Sequence, residues 1–325
     1  MAVVALMSAK GAPGCTTAAQ LLAALWPRPA LLVDADAAGG DVALRLPRED
    51  GAAVDRDRGL LSLLSLARRS LSPTALVEHA QVLRGGTELV AGLSSPEQAQ
   101  AGQALWDNLA HALAAARDHD VVVDCGRLTA GSPQLSLAER ADLLVCVLRP
   151  DVSGLVHARE RLGTMQEVLQ AGGSGPLLGY VVVGRGAGDR DVVGARAMLE
   201  RDLPKVRFLG VLADDREGAG VLAGVEVPRP ERTLLVRSAH AVVDEVARLV
   251  GAAGQPLGGT PPVGGGSAAA AAEAEALGAR RAARQRGSRR RFGKGAAPVA
   301  PVVPLGERLS GTPVLKSSSS TGAGS

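Results

Sequence analysis

Two rhythms of apolar and polar positions alternate along this chain. Short runs rich in Val and Leu, with at most one charged residue inside, recur at Ala2–Met7, Ala30–Asp36, Glu88–Gly92, Asp120–Asp124, Ala141–Leu148, Leu177–Val183 and Val206–Ala213. An uninterrupted apolar run bounded by turn residues is what a strand buried on both faces looks like. Between these runs lie longer Ala- and Leu-rich stretches at helical spacing: Thr17–Leu25, Gly59–Arg69, Thr74–Leu83, a stretch from Ser95 through Trp106 to Asp118, then Asp151–Gln170, Asp189–Leu203, Arg216–Gly224 and Leu234–Leu249. Local signals punctuate them. Pro27 and Pro29 stop the first helix, Ser72-Pro73 and Ser95-Pro96 offer an N-cap and a first-turn proline, and Gly85-Gly86 marks a turn. Strands alternating with helices predict an α/β fold: a doubly wound, mainly parallel sheet flanked by helices. Ala104, Leu105, Leu109 and Leu113 recur at helical spacing and are expected in the core, with Trp106 as a packing residue. No internal repeat is visible.

The pattern stops near residue 253. From Gly254 to Ser325 Gly, Pro, Ala and Ser dominate, and such a stretch cannot bury enough apolar surface to offset its ordering entropy. The expected organisation is therefore a folded unit over 1–253 and a disordered tail over 254–325. Charge follows the same boundary. The tail carries ten Lys/Arg against three Asp/Glu, a net of +7, which leaves −4 for residues 1–253 out of a total of +3. Arg280, Arg281, Arg284, Arg286, Arg289, Arg290, Arg291 and Lys294 form a basic cluster suited to DNA phosphates or anionic lipid heads. Only Leu277 and Phe292 accompany it, too few for an inserting amphipathic face.

Composition narrows the class further. Aromatics are 2% of the 325 residues, so the core must be packed from Leu, Val and Ala. Cys15, Cys125 and Cys146 show no metal-pair spacing and are expected as reduced thiols. The first residues lack a charged n-region, and Ala2–Met7 is too short for a signal peptide. With no apolar run of bilayer-spanning length, a cytoplasmic protein is expected.

The candidate chemistry sits in Ser8-Ala-Lys-Gly-Ala-Pro-Gly-Cys-Thr-Thr17, between the first strand and the first helix. A Gly-containing turn at a helix N-terminus presents backbone N–H groups and a partial positive charge to a phosphate. Gly11 and Gly14 let the backbone approach closely. A P-loop reads G-x-x-x-x-G-K-[ST], and Cys15 stands where its Lys would be, followed by Thr16. Further along, Leu-Leu-Val-Asp34-Ala-Asp36 and Val-Val-Val-Asp124-Cys-Gly126 each deliver acids at a strand end, the place from which a carboxylate can hold Mg2+ or orient a water.

These three segments, in this order, resemble the ParA/MinD family of ATPases, whose loop reads K-G-G-x-G-K-T-T. Lys10, Gly11, Gly14, Thr16 and Thr17 match it, Ala12 replaces a Gly, Pro13 fills the variable position, and Cys15 replaces the phosphate-binding Lys. The resemblance extends over residues 2–251. It implies ATP and Mg2+ as cofactors, with Gly11, Ala12, Pro13, Gly14, Cys15, Thr16 and Thr17 lining the phosphates. Thr16, Asp36 and Asp124 would serve the metal. Lys10 would reach the nucleotide of a partner in a homodimer, and Asp36 would place the hydrolytic water, with Asp34 as a structural acid. Departures are equally specific. The Pro-Gln that follows the family's second Asp is missing, and Asp41 either shares that role or caps a turn. Where the family has an Asn that reads adenine, this chain has Gly184-Arg185, and Arg185 would have to stack on the base instead. The implied function is a nucleotide-binding switch with weak or no hydrolysis, acting on an unknown protein cargo in chromosome partitioning or in positioning an assembly, associated with nucleoid or membrane. The alternative is a pseudo-ATPase scaffold of the CpaE type. Cys15 is a poor candidate for a catalytic thiol because no His lies nearby in sequence, although the loop's positive field would lower its pKa.

Overall fold

The computed structural model describes residues 1–11, 14–66, 71–116 and 118–253. Ala12, Pro13 and the whole basic segment Arg280–Lys294 lie outside the described residues, as do the side chains of Ala104 and Leu105. Strand β1 (Val3–Ser8) leads through the Gly-containing turn to helix α1 (Cys15–Ala24), then to β2 (Ala30–Asp34) and the one-turn helix α2 (Val42–Arg45). There follow α3 (Leu60–Leu66), α4 (Pro73–Glu78), β3 (Gln81–Val82), β4 (Glu88–Val90), α5 (Pro96–Ala101), α6 (Gln103–Ala115) and β5 (Asp120–Arg127). The second half runs α7 (Leu135–Glu139), β6 (Leu143–Leu148), α8 (Val152–Gln170), β7 (Leu177–Gly184), α9 (Arg190–Asp202), β8 (Arg207–Ala213), α10 (Arg216–Val221) and α11 (Leu234–Ala253).

Among the described residues these strands form one sheet in the order β3-β4-β2-β5-β1-β6-β7-β8, parallel throughout except for the short β3–β4 pair. The α/β class and mainly parallel sheet expected from the pattern are what the structure shows. Period-two alternation sorts the side chains of each strand onto two faces. Val3, Ala5 and Met7 of β1 face one core with Leu109 and Leu113 of α6, Leu162 and Met165 of α8, and Leu199 of α9. Val4 and Leu6 face the other, with Ala18, Leu21 and Leu22 of α1 and Ala239, Val242 and Val246 of α11. Trp106 is packed as expected, 1% exposed, its indole N–H donating to the Ala99 carbonyl at 3.0 Å.

Several expected boundaries are corrected. The helix expected over Thr74–Leu83 ends at Glu78, because Gln81 and Val82 pair with β4 instead. Gln81 is also tied down by its side chain, which donates to the Asp55 and Arg58 carbonyls at 2.7 Å each. The helix expected from Ser95 to Asp118 is two, broken at Gly102, where any Cβ would collide with the Leu64 side chain. Helix α7 falls in a stretch with no expected element, and the Arg216–Gly224 helix stops at Val221.

The sheet's N-terminal edge is fastened by Asp120, a residue 4% exposed. One carboxylate oxygen accepts the Ala2 N–H at 2.7 Å, and the other accepts the Trp26 indole N–H and the Arg28 guanidinium, each at 2.7 Å. One buried acid thus ties β1, the end of α1 and the start of β2 together. Asp120→Ala leaves these donors unpaired and is expected to lower stability by about 3 kcal/mol. Urea unfolding would measure it, and a loss below about 1 kcal/mol would mean that the carboxylate is dispensable.

Candidate functional site

The topology picks out one place. From β1 the chain goes out to β2 on one side and later, from β5, crosses to β6 on the other. Ligands of doubly wound sheets bind beyond the strand C-termini at such a reversal. The Gly-containing turn leaves β1 at that point. Gly14 is the N-cap of α1, at φ 98° and ψ 25°, and Gly11 is also left-handed, at φ 62°. Both conformations are ones that Gly adopts without strain. The Gly14 carbonyl already accepts the Ala18 N–H at 2.8 Å, so the helix starts directly behind the turn.

Parity then fixes the acids. Asp34 of β2 and Asp124 of β5 are register partners and share a face with Leu32 and Val122, which is the α1 face. Both are buried, at 1% and 0% exposure. Asp124 Oδ1 accepts the Gly126 N–H at 3.0 Å and the Cys15 thiol at 3.4 Å, while Oδ2 has no hydrogen-bond partner among the described residues. Asp34 Oδ2 accepts the Val42 N–H at 3.1 Å, and Oδ1 has no hydrogen-bond partner among the described residues. Burial, with the charge of Asp124 adding to it, pushes the Asp34 carboxyl up from 3.8 to about 7. Burial also raises Asp124, partly offset by the Thr16 hydroxyl, the Gly126 N–H, the Cys15 thiol and the charge of Arg45. Asp36 is half-buried and accepts the Ala38 N–H at 2.8 Å. Its carboxylate lies over Gly126, at φ 56°, where any Cβ would collide with it. Burial raises its pKa too, with smaller contributions from Asp124 and Asp41.

The turn's far end thus meets three acids, with Cys15, Thr16, Asp34, Asp36 and Asp124 all at one spot. Hard carboxylate oxygens without hydrogen-bond partners, beside a threonine hydroxyl, fit a divalent cation that keeps most of its waters and takes phosphate oxygens as further ligands. Among the described residues no group of three or more His, Cys, Asp or Glu side chains is placed to hold a metal ion by itself, so phosphate and water oxygens would have to complete the coordination. The Cys15 thiol is 1% exposed, and burial with the adjacent Asp124 raises its pKa well above the ordinary value. The expectation of a lowered pKa is therefore corrected: desolvation outweighs the field of the turn. Cys125 and Cys146 are free and buried as well.

The remaining candidates stand along the same edge. Lys10 is exposed, its ammonium 3.3 Å from His157 Nε2 on α8, a contact between distant segments that nothing in the sequence announced. Lys10, Gly11, Arg149, Ser153 and His157 line a depression of about 340 Å³. Arg149 also borders one of about 200 Å³ with Gly184, Arg185 and Asp214. Arg185 is exposed, and Arg149, bonded to Asp214 at 2.7 Å, holds that carboxyl low with Arg185 adding to the effect. Thr17 is half-buried on the first turn of α1 and accepts a bond from Arg45 Nη1 at 3.4 Å. Asp41 takes the N-cap position of α2 without making a side-chain cap bond. A larger apolar cavity, about 790 Å³, runs along the C-terminal half of α1 past Leu25, Leu83 and Val225, away from the acids. Among the described residues no helix is long and apolar enough to cross a membrane.

No family model and no curated protein matches this chain. Solved structures do. The cell-division ATPase MinD of Pyrococcus furiosus superposes with a TM-score of 0.58 at 21% identity, covering 76% of this chain and 99% of that one. A substituted Cyanothece McdA in complex with ATP gives 0.57 at 17% identity, covering 77% and 96%. A ParA family ATPase from Chlorobium tepidum gives 0.55 at 19% identity, covering 75% and 96%. The chain shares the fold of these proteins.

Proposed function

We propose that this chain binds a nucleoside triphosphate, ATP by analogy with the proteins of the same fold, together with Mg2+ at the β1–α1 turn, and that it acts as a nucleotide-dependent switch with slow turnover. The observation that carries the reading is the pair of buried carboxylates, Asp34 and Asp124, each with an unpartnered oxygen, beside the N-terminus of α1. Burying two acids side by side is costly without a cation to share. In this reading the backbone N–H groups between Lys10 and Thr17, Pro13 excepted because it has none, surround the phosphates, with Ala12 and Pro13 as lining. Thr16, Asp36 and Asp124 serve Mg2+, which when bound would draw charge from the phosphates. Asp36, half-buried and nearer solvent than Asp34, orients water. Arg185 flanks the base. Slow turnover follows from Cys15, which supplies no charge to the β- and γ-phosphates. Lys10, free to leave its exposed contact with His157, would serve a second copy's nucleotide in a homodimer. Attachment to DNA or anionic lipid through Arg280–Lys294 and the identity of a protein cargo belong to the proposal, the former supported by the charge of that segment alone.

One observation favours a second reading, a pseudo-ATPase scaffold without turnover: the Cys15 thiol is turned inward onto Asp124 and fills space beside the acids. Titration of the intact chain with fluorescently labelled ATP, with and without Mg2+, decides between them. Saturable, Mg2+-dependent binding that Lys10→Ala weakens supports the switch. No binding by the wild type, with binding by Cys15→Lys, supports the scaffold.

A further inference from the structure

The site has a cation that the loop does not supply. Arg45 is the last residue of α2, a single turn whose start is fixed: Val42 is fully buried, and its N–H is held by Asp34 Oδ2 at 3.1 Å. Three residues on, Arg45 reaches back to the first turn of α1. Its Nη1 donates to Thr17 Oγ1 at 3.4 Å, and its Nη2 lies 3.9 Å from Asp41 Oδ2. The side chain is half-buried, 31% exposed. Those two contacts leave the fork's other N–H groups without partners among the described residues. The charge also reaches Asp124, whose carboxyl it helps to keep ionised.

A guanidinium held at the first turn of a helix, next to backbone amides and a threonine hydroxyl, has the planar, multi-donor form that matches phosphate oxygens. We infer that Arg45 supplies, from the segment after β2, the phosphate-binding cation that Cys15 removes from the loop, and so makes the site selective for di- and triphosphates. This rests on the nucleotide-binding reading above and adds a residue to it. It also couples the α2 segment to the ligand. A phosphate drawing the guanidinium off Thr17 pulls on α2, whose other end is bonded to the buried acid pair.

The competing role for Arg45 is structural, as a counter-ion for Asp41 and Asp124. The test separates the two by rescue. Arg45→Met keeps the aliphatic stem and removes the charge. Affinity for fluorescently labelled ATP with Mg2+ is expected to fall at least tenfold in Arg45→Met and by clearly less in Arg45→Lys, which keeps the charge and loses the planar fork. Adding Cys15→Lys to Arg45→Met is expected to restore it, because the charge then comes from the loop. Thermal melting of each variant checks folding. Arg45→Met binding as tightly as the wild type overturns the inference. So does a loss that Cys15→Lys does not repair although Cys15→Lys alone binds. If the wild type fails to bind and Cys15→Lys binds, the cradle stands and Arg45 is not its cation. If neither binds, the nucleotide reading itself has failed and this inference goes with it.

Discussion

Cys15→Lys is expected to raise ATP turnover by two to three powers of ten. The argument runs from position to charge. Residue 15 is the first of α1, directly after the left-handed Gly14, so its side chain leaves the backbone where the turn's amides end. The thiol now bends inward to Asp124 Oδ1 at 3.4 Å, and a Cys reaches no further. A Lys on the same Cβ is long enough to pass the acids and extend over the turn. It would also arrive beside Asp34 and Asp124, buried carboxyls that an adjacent ammonium would help to ionise, so it does not bury an unpaired cation. A loop ammonium would contact the transferring phosphoryl, whereas Arg45 sits at Thr17, deeper along α1. The gain should therefore appear in kcat more than in affinity, and loss of one stabiliser aimed at developing charge commonly costs that factor. Phosphate release at saturating Mg-ATP is the measurement, with Asp36→Ala added as a control that should cancel the gain. Tighter binding with no change in rate would mean that hydrolysis is limited by the segment after Asp36 and not by the missing charge.

Which parts of this were legible beforehand follows from how far each signal reaches along the chain. The sheet was legible because a buried parallel strand must be apolar on both faces, and Val3–Ser8, Asp120–Arg127 and Leu143–Leu148 carry that requirement locally. Acids ending such strands were legible as a group for the same reason: parity puts Asp34 and Asp124 on the α1 face whatever the rest of the chain does. Helix ends were less so. Gly102 ends one helix and begins the next where the Leu64 side chain, far away in sequence, packs against it, and Gln81 leaves a helix because a hairpin partner exists. Neither cause lies within the local pattern. Contacts between distant segments were invisible: Arg45 with Thr17, Lys10 with His157, and Asp120 with Ala2, Trp26 and Arg28. The direction of the Cys15 pKa failed in the same way, since the motif suggests an exposed, positive setting and the fold turns the thiol inward.

The stability of the free protein is expected to fall, not rise, between pH 4 and pH 8. Most ion-paired carboxylates act the other way. Asp202 and Asp214, held low by arginines, lend stability that is present above their unfolded pKa and lost only in strong acid. Asp34 is the reverse. Its folded pKa is about 7 against an ordinary 3.8, so between those values the native state keeps a proton that the unfolded chain has released. Stability then decreases as pH rises through that window, by an amount on the order of a few kcal/mol. Asp124 and Asp36, also raised by burial, push in the same direction. Asp34→Asn keeps an oxygen for the Val42 N–H and removes the charge, so it should be nearly as stable as the wild type at pH 5 and clearly more stable at pH 8. Thermal melts in EDTA at both values, wild type against variant, test it; a wild type that gains stability toward pH 8, or a variant with an unchanged slope, would refute the buried-pair account. Under the proposed function, Mg2+ with nucleotide should flatten the wild-type slope, because a cation served by Asp36 and Asp124 lies next to Asp34 and favours its ionised form as well. The ligand would then bind most tightly where the free protein is least stable. Asp34→Asn should lose that link, gaining stability in EDTA and responding less to Mg2+.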